Sequence, residues 1–391
     1  MRQVYLDNAA TTPMHPQVVE AMARAMATTF GNPSSIHAFG QAARRALEEG
    51  REQVAALLGA EPGEVVFTGG GTEADNLAIL GVVRANAERG RHIITSMVEH
   101  HAVLHACQAL EKEGFRVTYL PVDAFGAVRP EDLERALTDD TILVTIMAAN
   151  NEVGTVQPIA EIARLAHKRD AYVHTDAVQA VGQMPVDVQE WDVDLLSLTG
   201  HKFYGPKGVG ALYVRRRTRI LPTLHGGGQE RGLRSGTQNV PGVVGLAKAA
   251  ELARAELPQR AEQARTLRRR LWEGIKERVP DVSLNGPPEL RLPGNLSLNV
   301  HGVEGETLLL NLDRKGIALS AGSACTAGAL EPSHVLKAMG VPVAVAMGAL
   351  RFSLGRGNTE EDVNYVLEQL PPAVVKLRSL NPEAGAETVV R

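Results

Sequence analysis

This 391-residue chain has only two cysteines, Cys107 and Cys325. That is too few for a disulfide framework, and their spacing does not suit a metal site, so each is either a buried thiol or a chemical one. An excess of one charge is also missing. The 41 Lys and Arg stand against 45 Asp and Glu, a formal balance of −4, which gives no footing for broad binding to nucleic acid or to an anionic membrane. The run Arg215, Arg216, Arg217 and Arg219 is read as a solvated strand end or loop. No apolar stretch approaches the roughly 20 residues needed to span a bilayer. The opening MRQVYLDNAATTP holds neither the apolar region of a signal peptide nor an Arg-rich amphipathic leader, so the expected address is cytoplasmic.

What remains is globular material, 44% hydrophobic and 22% charged, enough for a large core in one domain or in two that share an interface. Short β-rich runs, VVFT (65–68), HIITS (92–96), VTYL (117–120), ILVTIM (142–147), YVHTD (172–176) and DLLSLT (194–199), alternate with helical stretches. That rhythm predicts an α/β fold with a mainly parallel sheet wrapped by helices. In such a sheet ligands bind beyond the carboxyl ends of the strands, so polar residues directly after each apolar run are the first candidates for function. From Val243 to Arg278 the pattern is helical, and after it come NLSLNV (295–300), a helix from Gly305 to Leu312 and the strand LRFSLG (350–355). The expected division is an N-terminal arm (1–15) associated with a small domain, a large cofactor-binding domain (16–255), a small C-terminal α/β domain (256–380) and a flexible tail (381–391).

Three runs place chemistry at strand ends. VVFTGGGTEADN sets three glycines, the last of them Gly71, and Thr72 between a strand and a helix, where amides, helix dipole and hydroxyl can face one phosphate. The same residues also suit a tight turn with Thr72 as a helix cap, and the Walker lysine is absent. YVHTDAVQA ends a strand on Asp176, with Gln179 a helical turn later; a charge there needs a partner, unless Asp176 serves as an N-cap. DLLSLTGHKFYGPKG ends the next run with Thr199, His201 and Lys202, an amine poised for a Schiff base. Pyridoxal phosphate needs this set: an amine, a carboxylate that keeps the pyridine nitrogen protonated, and a neutral polar phosphate cradle.

Here the chain resembles the fold-type I pyridoxal phosphate enzymes, within them the class V aminotransferase superfamily, and most closely its NifS/IscS-like cysteine desulfurases. The resemblance runs from YLDNAATTP (5–13) to RFSLGR (351–356), through FGNPSSIH (30–37), TEADN (72–76), VEHHAV (98–103), NNEVG (150–154), HTDAVQ (174–179), TGHKFYGPKGVGALYVR (199–215), GGGQERGLRSGT (226–237) and SAGSACTAG (320–328). It implies that Lys202 carries the cofactor, that Asp176 partners the pyridine nitrogen, that Gln179 donates to the ring oxygen and that the His100 imidazole stacks on the ring. Gly71, Thr72, Thr199 and His201 would hold the phosphate, with Thr237 reaching it from the partner subunit of a homodimer. Arg351 matches the arginine for the substrate carboxylate, and its planar fork suits bidentate binding. Asn151 matches a contact to cofactor and substrate. Gly71 stands where Ala is common, Thr199 where Ser is common and Ala321 where Ser is common, all small or hydroxyl-conserving changes.

Cys107 shares a helical face with Leu104 and Leu110 and is expected in the core. Cys325 lies among small residues and two glycines, a composition suited to a mobile loop. The resemblance makes it the nucleophile that takes sulfur from L-cysteine as a persulfide, leaving alanine, with His100 moving a proton. The sulfur would pass to an acceptor protein such as an iron–sulfur scaffold or a tRNA-thiolation protein. A class V aminotransferase would have no use for a loop thiol, a selenocysteine lyase would depend on it less, and a non-catalytic scaffold would need neither Lys202 nor Asp176.

Overall fold

The computed structural model describes residues 2–321 and 332–380; Cys325 and the expected tail at 381–391 lie outside them. The described chain starts with β1 (Val4–Tyr5), α1 (Pro16–Thr28) and α2 (Ala38–Leu58). Strands and helices then alternate: β2 (Val65–Thr68), α3 (Gly71–Ala85), β3 (His92–Ser96), α4 (His101–Lys112), β4 (Arg116–Leu120), α5 (Pro130–Ala136), β5 (Thr141–Thr145), α6 (Ile159–His167), β6 (Tyr172–Asp176), β7 (Leu195–Thr199) and β8 (Gly210–Val214). The long α7 (Val240–Arg278) leads to β9 (Val282–Asn285), β10 (Asn295–Val300), α8 (Gly305–Asp313), β11 (Ile317–Ala318), α9 (His334–Ala338), α10 (Val343–Ala346), β12 (Ala349–Ser353) and α11 (Glu360–Leu380).

Seven strands form one sheet in the order β2-β8-β7-β6-β5-β3-β4. β3 to β7 run parallel through this order, whereas β8 is antiparallel to both β7 and β2. The expectation of a mainly parallel sheet therefore holds, with β8 as the exception that the sequence reading did not include. β8 returns beside β7 through a short connection without a crossover helix, which only an antiparallel pair permits. That connection carries Lys202.

Neighbouring residues of the central strands feed opposite faces, as a period of two requires. Ile93, Leu143 and Leu195 join the core under α3 and α4, while Ile94, Val144 and Leu196 join the core under α2, α6 and the first half of α7. A second sheet, β12-β10-β9, is antiparallel and packs on the second half of α7 through Leu267, Leu271 and Ile275. Since α7 buries its two halves in different cores, we infer that it joins the large unit (16–255) to the small one (256–380). The arm enters the smaller core: β1 pairs in parallel with β11, and Val4 and Leu6 are buried there.

Two local expectations differ. β5 ends at Thr145, because the Met147 amide turns to the Glu99 carboxylate instead of a neighbouring strand. No helix follows Asp176; residues 178–180 form a turn, with the Asp176 carboxylate accepting from the Val178 amide at 2.9 Å. The arginine run after β8 is an ion-paired turn, Arg215 with Asp192 at 2.7 Å and Arg219 with Glu88 at 2.6 Å. Cys107 is fully buried on α4, and burial pushes its thiol up to about 12.

The 226–237 segment is fixed to the large unit by a buried ion pair, with Arg234 donating to Glu73 and Arg231 to the Val65 carbonyl beside it. Arg51 on α2 donates to both Glu230 oxygens at 2.8 and 3.0 Å, and Glu230 also accepts from the Phe67 amide at 2.9 Å. Replacing Arg51 with Met leaves the Glu230 carboxylate buried without its cation, so Arg51→Met is expected to lose about 3–5 kcal/mol. Urea unfolding measures this; a loss below about 1 kcal/mol would mean that the pair is dispensable.

Candidate active site

The carboxyl ends of β3, β5, β6 and β7 open into one cavity of about 340 Å³. Gly71, Thr72, His100, Asn151, Asp176, Gln179, Thr199, His201, Lys202 and Arg351 all line it. Of the candidate site residues that are described, only one is not brought there. Thr237 is exposed and outside the cavity of its own chain. Cys325 lies outside the described residues.

Each side chain arrives by a local device. α3 begins at Gly71 directly after β2, and the amides of its first turn have no carbonyl one turn back to bond, which leaves donors for an anion. A Cβ on Gly71 would lie 2.7 Å from a Val178 methyl, so an alanine here would require the Val178 side chain to move, and glycine lets the helix start this close to the 176–179 turn without that shift. Lys202 sits on a single helical turn, Gly200–Lys202, at the end of β7. Its amine donates to the carbonyls of Ala9 and Ala10 at 2.6 and 2.8 Å, and Gln179 donates to the same Ala9 carbonyl at 2.9 Å. The arm residue Thr11 meets His201 Nδ1 at 3.1 Å. His100 caps α4, with Nδ1 accepting from the Ala102 amide at 3.1 Å, so the proton of the neutral ring sits on Nε2.

Burial governs the charge states. It lowers the His100 pKa to about 4, with Lys202 and the neighbouring histidines adding to the effect, and lowers that of His201 to about 4 with help from Lys202 and Lys207. Both rings are therefore neutral at physiological pH. Burial raises Asp176 to about 6, against the Val178 amide and Lys202, which favour its charged form. Asp75, beside it on α3, is pushed well above the usual carboxylate range by burial and then by the Asp176 charge. Of this coupled pair Asp75 is the neutral member and Asp176 the charged one.

Sequence reasoning missed several cavity groups. Asp75, His101, Met147, Glu152 and His334 line the site, and the arm presents Ala9 and Ala10. Asp75 Oδ1 is buried with no hydrogen-bond partner among the described residues. Glu99, fully buried behind the site, accepts from the Ser96 hydroxyl at 2.6 Å and from the Met147 amide at 3.0 Å, and burial raises its pKa to about 8. The rule that favours polar residues just after a strand would have found Glu99 in VEHHAV. The arm carbonyls carry no side-chain signal.

The donor set fits pyridoxal phosphate. A neutral cradle of helix amides, Thr72, Thr199 and His201 stands apart from a buried carboxylate that can face a ring nitrogen, with an amine and an uncharged imidazole in the same cavity. These residues would hold the group by its phosphate, its nitrogen and its aldehyde carbon.

Glu99 provides a pH test. Its carboxyl loses its proton near pH 4.5 when unfolded and near pH 8 when folded, so between those values the folded chain holds the extra proton and stability falls as pH rises. Glu99→Gln removes that term, and its stability relative to wild type is expected to climb between pH 5 and 8 in urea titrations. A pH-independent difference would contradict the neutral Glu99.

The comparisons with known proteins agree with this geometry. The aminotransferase class-V family model matches residues 4–366. The chain is 53% identical to the cysteine desulfurase IscS of Dictyoglomus turgidum over 381 residues, 97% of each chain. It is 55% identical to the cysteine desulfurase IscS of Methanosarcina thermophila, over 97% of this chain and 94% of the relative. Among solved structures, a NifS-like protein aligns with a TM-score of 0.91 at 43% identity, covering 96% of this chain and 100% of that one. SspA, solved in complex with cysteine, aligns with a TM-score of 0.82 at 39% identity, covering 90% and 99%. The chain belongs to the class-V aminotransferase family and, within it, to the NifS/IscS-like cysteine desulfurases, which work with pyridoxal 5'-phosphate.

Proposed function

We propose that the chain converts L-cysteine to L-alanine while moving the sulfur onto Cys325, with the roles divided as follows. The observation that carries the reading is the convergence of Lys202, Asp176, His100 and Arg351 on one cavity. SspA, a relative at 39% identity, was solved with cysteine bound, which supports cysteine as the substrate class.

The cofactor, when bound, supplies an electron sink for bond changes at the substrate's α and β carbons. Lys202 anchors it, and its freed amine takes the substrate's α-proton. Asp176, the charged carboxylate of its pair, keeps the ring nitrogen protonated. Gln179 donates at the ring oxygen, while Gly71, Thr72, Thr199 and His201 hold the phosphate. Arg351 and Asn151 orient the substrate carboxylate. His100 presents Nε2–H at the reacting side and moves a proton there.

The thiolate of Cys325 attacks the substrate sulfur. A sulfur–sulfur bond forms, the Cβ–sulfur bond breaks, and the carbon skeleton keeps that bond's electron pair and takes up protons to leave as alanine. One thiol and one cysteine thus become one persulfide and one alanine, with no external oxidant or reductant. Cys107, buried with its thiol pushed up to about 12, is not a competing nucleophile.

Thr237 is exposed outside its own cavity, which fits a homodimer in which it completes the partner's phosphate site. The persulfide would pass to an acceptor protein of iron–sulfur cluster assembly or tRNA thiolation. Among the described residues no helix is long and apolar enough to cross a membrane, and we place the reaction in the cytoplasm.

Mass spectrometry of wild type and Cys325→Ala after addition of cysteine tests the reading. Wild type is expected to gain one sulfur on Cys325 and release alanine, and Cys325→Ala to do neither at a comparable rate. Equal alanine release by both would remove Cys325 from the reaction.

A further inference from the structure

Arg351 is the largest fully buried side chain, 2% exposed, and its charge is already answered within the free chain. Nη2 donates to the Asp7 carboxylate at 2.8 Å, Nη1 donates to the Asn151 carbonyl at 2.9 Å, and Nε is buried with no hydrogen-bond partner among the described residues. The arginine that would receive a substrate carboxylate thus already holds one, supplied by the arm.

Asp7 is not a loose surface group that drifts onto Arg351. Its own carbonyl accepts from the amides of Ala10 and Thr11 at 3.1 and 3.4 Å and from the Tyr5 hydroxyl at 3.0 Å, which closes a tight turn. The turn is pinned on one side to β12 through Asn8, whose side chain donates to the Ser353 carbonyl at 2.8 Å. On the other side it is pinned through Thr12, whose amide and hydroxyl both donate to the His201 carbonyl, at 2.9 and 3.0 Å. Fixed from both directions, the carboxylate stays at hydrogen-bond distance from the guanidinium.

A buried cation without a counterion attracts any small anion that can enter, because attraction at contact distance is strong where water is scarce. With Asp7 in place the guanidinium presents only its residual donors, Nε among them, against a nearly cancelled charge. A free carboxylate gains little there. An amino acid anchored in the same cavity through its amine gains enough from the combined contacts. We propose that Asp7 is a specificity-determining residue that neutralises Arg351 in the free enzyme, so that the site rejects free anions and accepts a carboxylate only as part of an amino acid. This rests on the reading of Arg351 as the substrate-carboxylate residue.

The test uses holoenzyme of wild type, Asp7→Asn, Asp7→Ala, Asp7→Glu and Arg351→Gln, with propionate as a carboxylate that has no amine. Propionate affinity is read both as competitive inhibition against cysteine and as the rise in melting temperature with propionate concentration, which does not depend on turnover. Asp7→Asn and Asp7→Ala are expected to bind propionate about tenfold more tightly, the worth of one charge-assisted hydrogen bond. Their KM for cysteine should fall, and without ligand they should melt earlier than wild type. Asp7→Glu, which keeps the charge, should return propionate binding toward wild type. If Arg351→Gln raises KM while neither neutral Asp7 variant binds propionate more tightly, the role given to Asp7 is wrong. If Arg351→Gln leaves KM unchanged, it is the reading of Arg351 that fails.

Discussion

Burying a carboxylate costs several kcal/mol unless a cation or a proton answers it, and the carboxyl edge of this sheet buries several close together. Asp75, Asp176 and Glu99 come from α3, the end of β6 and the segment after β3, and the Asp176 charge raises the energy of the charged forms of the other two. Lys202 is the cation that favours the charged form of Asp176, so the proton is lost there first while Asp75 and Glu99 keep theirs. The same burial strips His100 and His201 of charge. The outcome sets the charged Asp176 and the Lys202 amine beside uncharged imidazoles and helix amides, which is the division of labour that pyridoxal phosphate chemistry requires.

The arm makes this arrangement a property of the whole chain. β1 is paired in the smaller unit, yet five residues later the Ala10 carbonyl accepts from Lys202 in the larger one. Asp7, between them, holds Arg351 on β12. The two cations of the site, one from each unit, are thus held by one short stretch, DNAATT, and the chain must bring its first residues beside residues 200 and 350 before the cavity exists. Contacts of such sequence separation form late and at an entropic cost that local structure cannot offset.

These distances explain what was legible beforehand. β2, β3, β6 and β10 match their apolar runs because, Tyr172 at the start of β6 apart, their residues are buried along the strand, and burial writes a nearly continuous hydrophobic signal. Lys202, Asp176 and Thr72 stand where polarity resumes after such runs, so the rule of strand ends led to them. The strand that carries Arg351 was legible for the same reason, and the linking helix from its helical, Arg- and Glu-rich pattern. β8 was not among the runs read as strands, and its direction leaves no mark in any case, since an antiparallel neighbour and a parallel one bury the same side chains. The turn after Asp176 was misread because GLY-free segments such as AVQA suit a helix locally, and the Asp176 carboxylate overrides that preference by capturing the Val178 amide. Asp7 and the carbonyls of Ala9 and Ala10 were named only as part of a motif, because their partners lie hundreds of residues away and backbone acceptors leave no mark in composition.

The account stands on Lys202 as the cofactor's anchor, and one measurement addresses it directly. Reducing the holoenzyme with borohydride fixes the cofactor to the amine that carries it, and peptide mapping then identifies the residue. The expected result is a single pyridoxyl group on Lys202, lost in Lys202→Ala. A label on Lys207 or any other lysine, or labelling that survives Lys202→Ala at full yield, would contradict the cavity described here as the site of the chemistry.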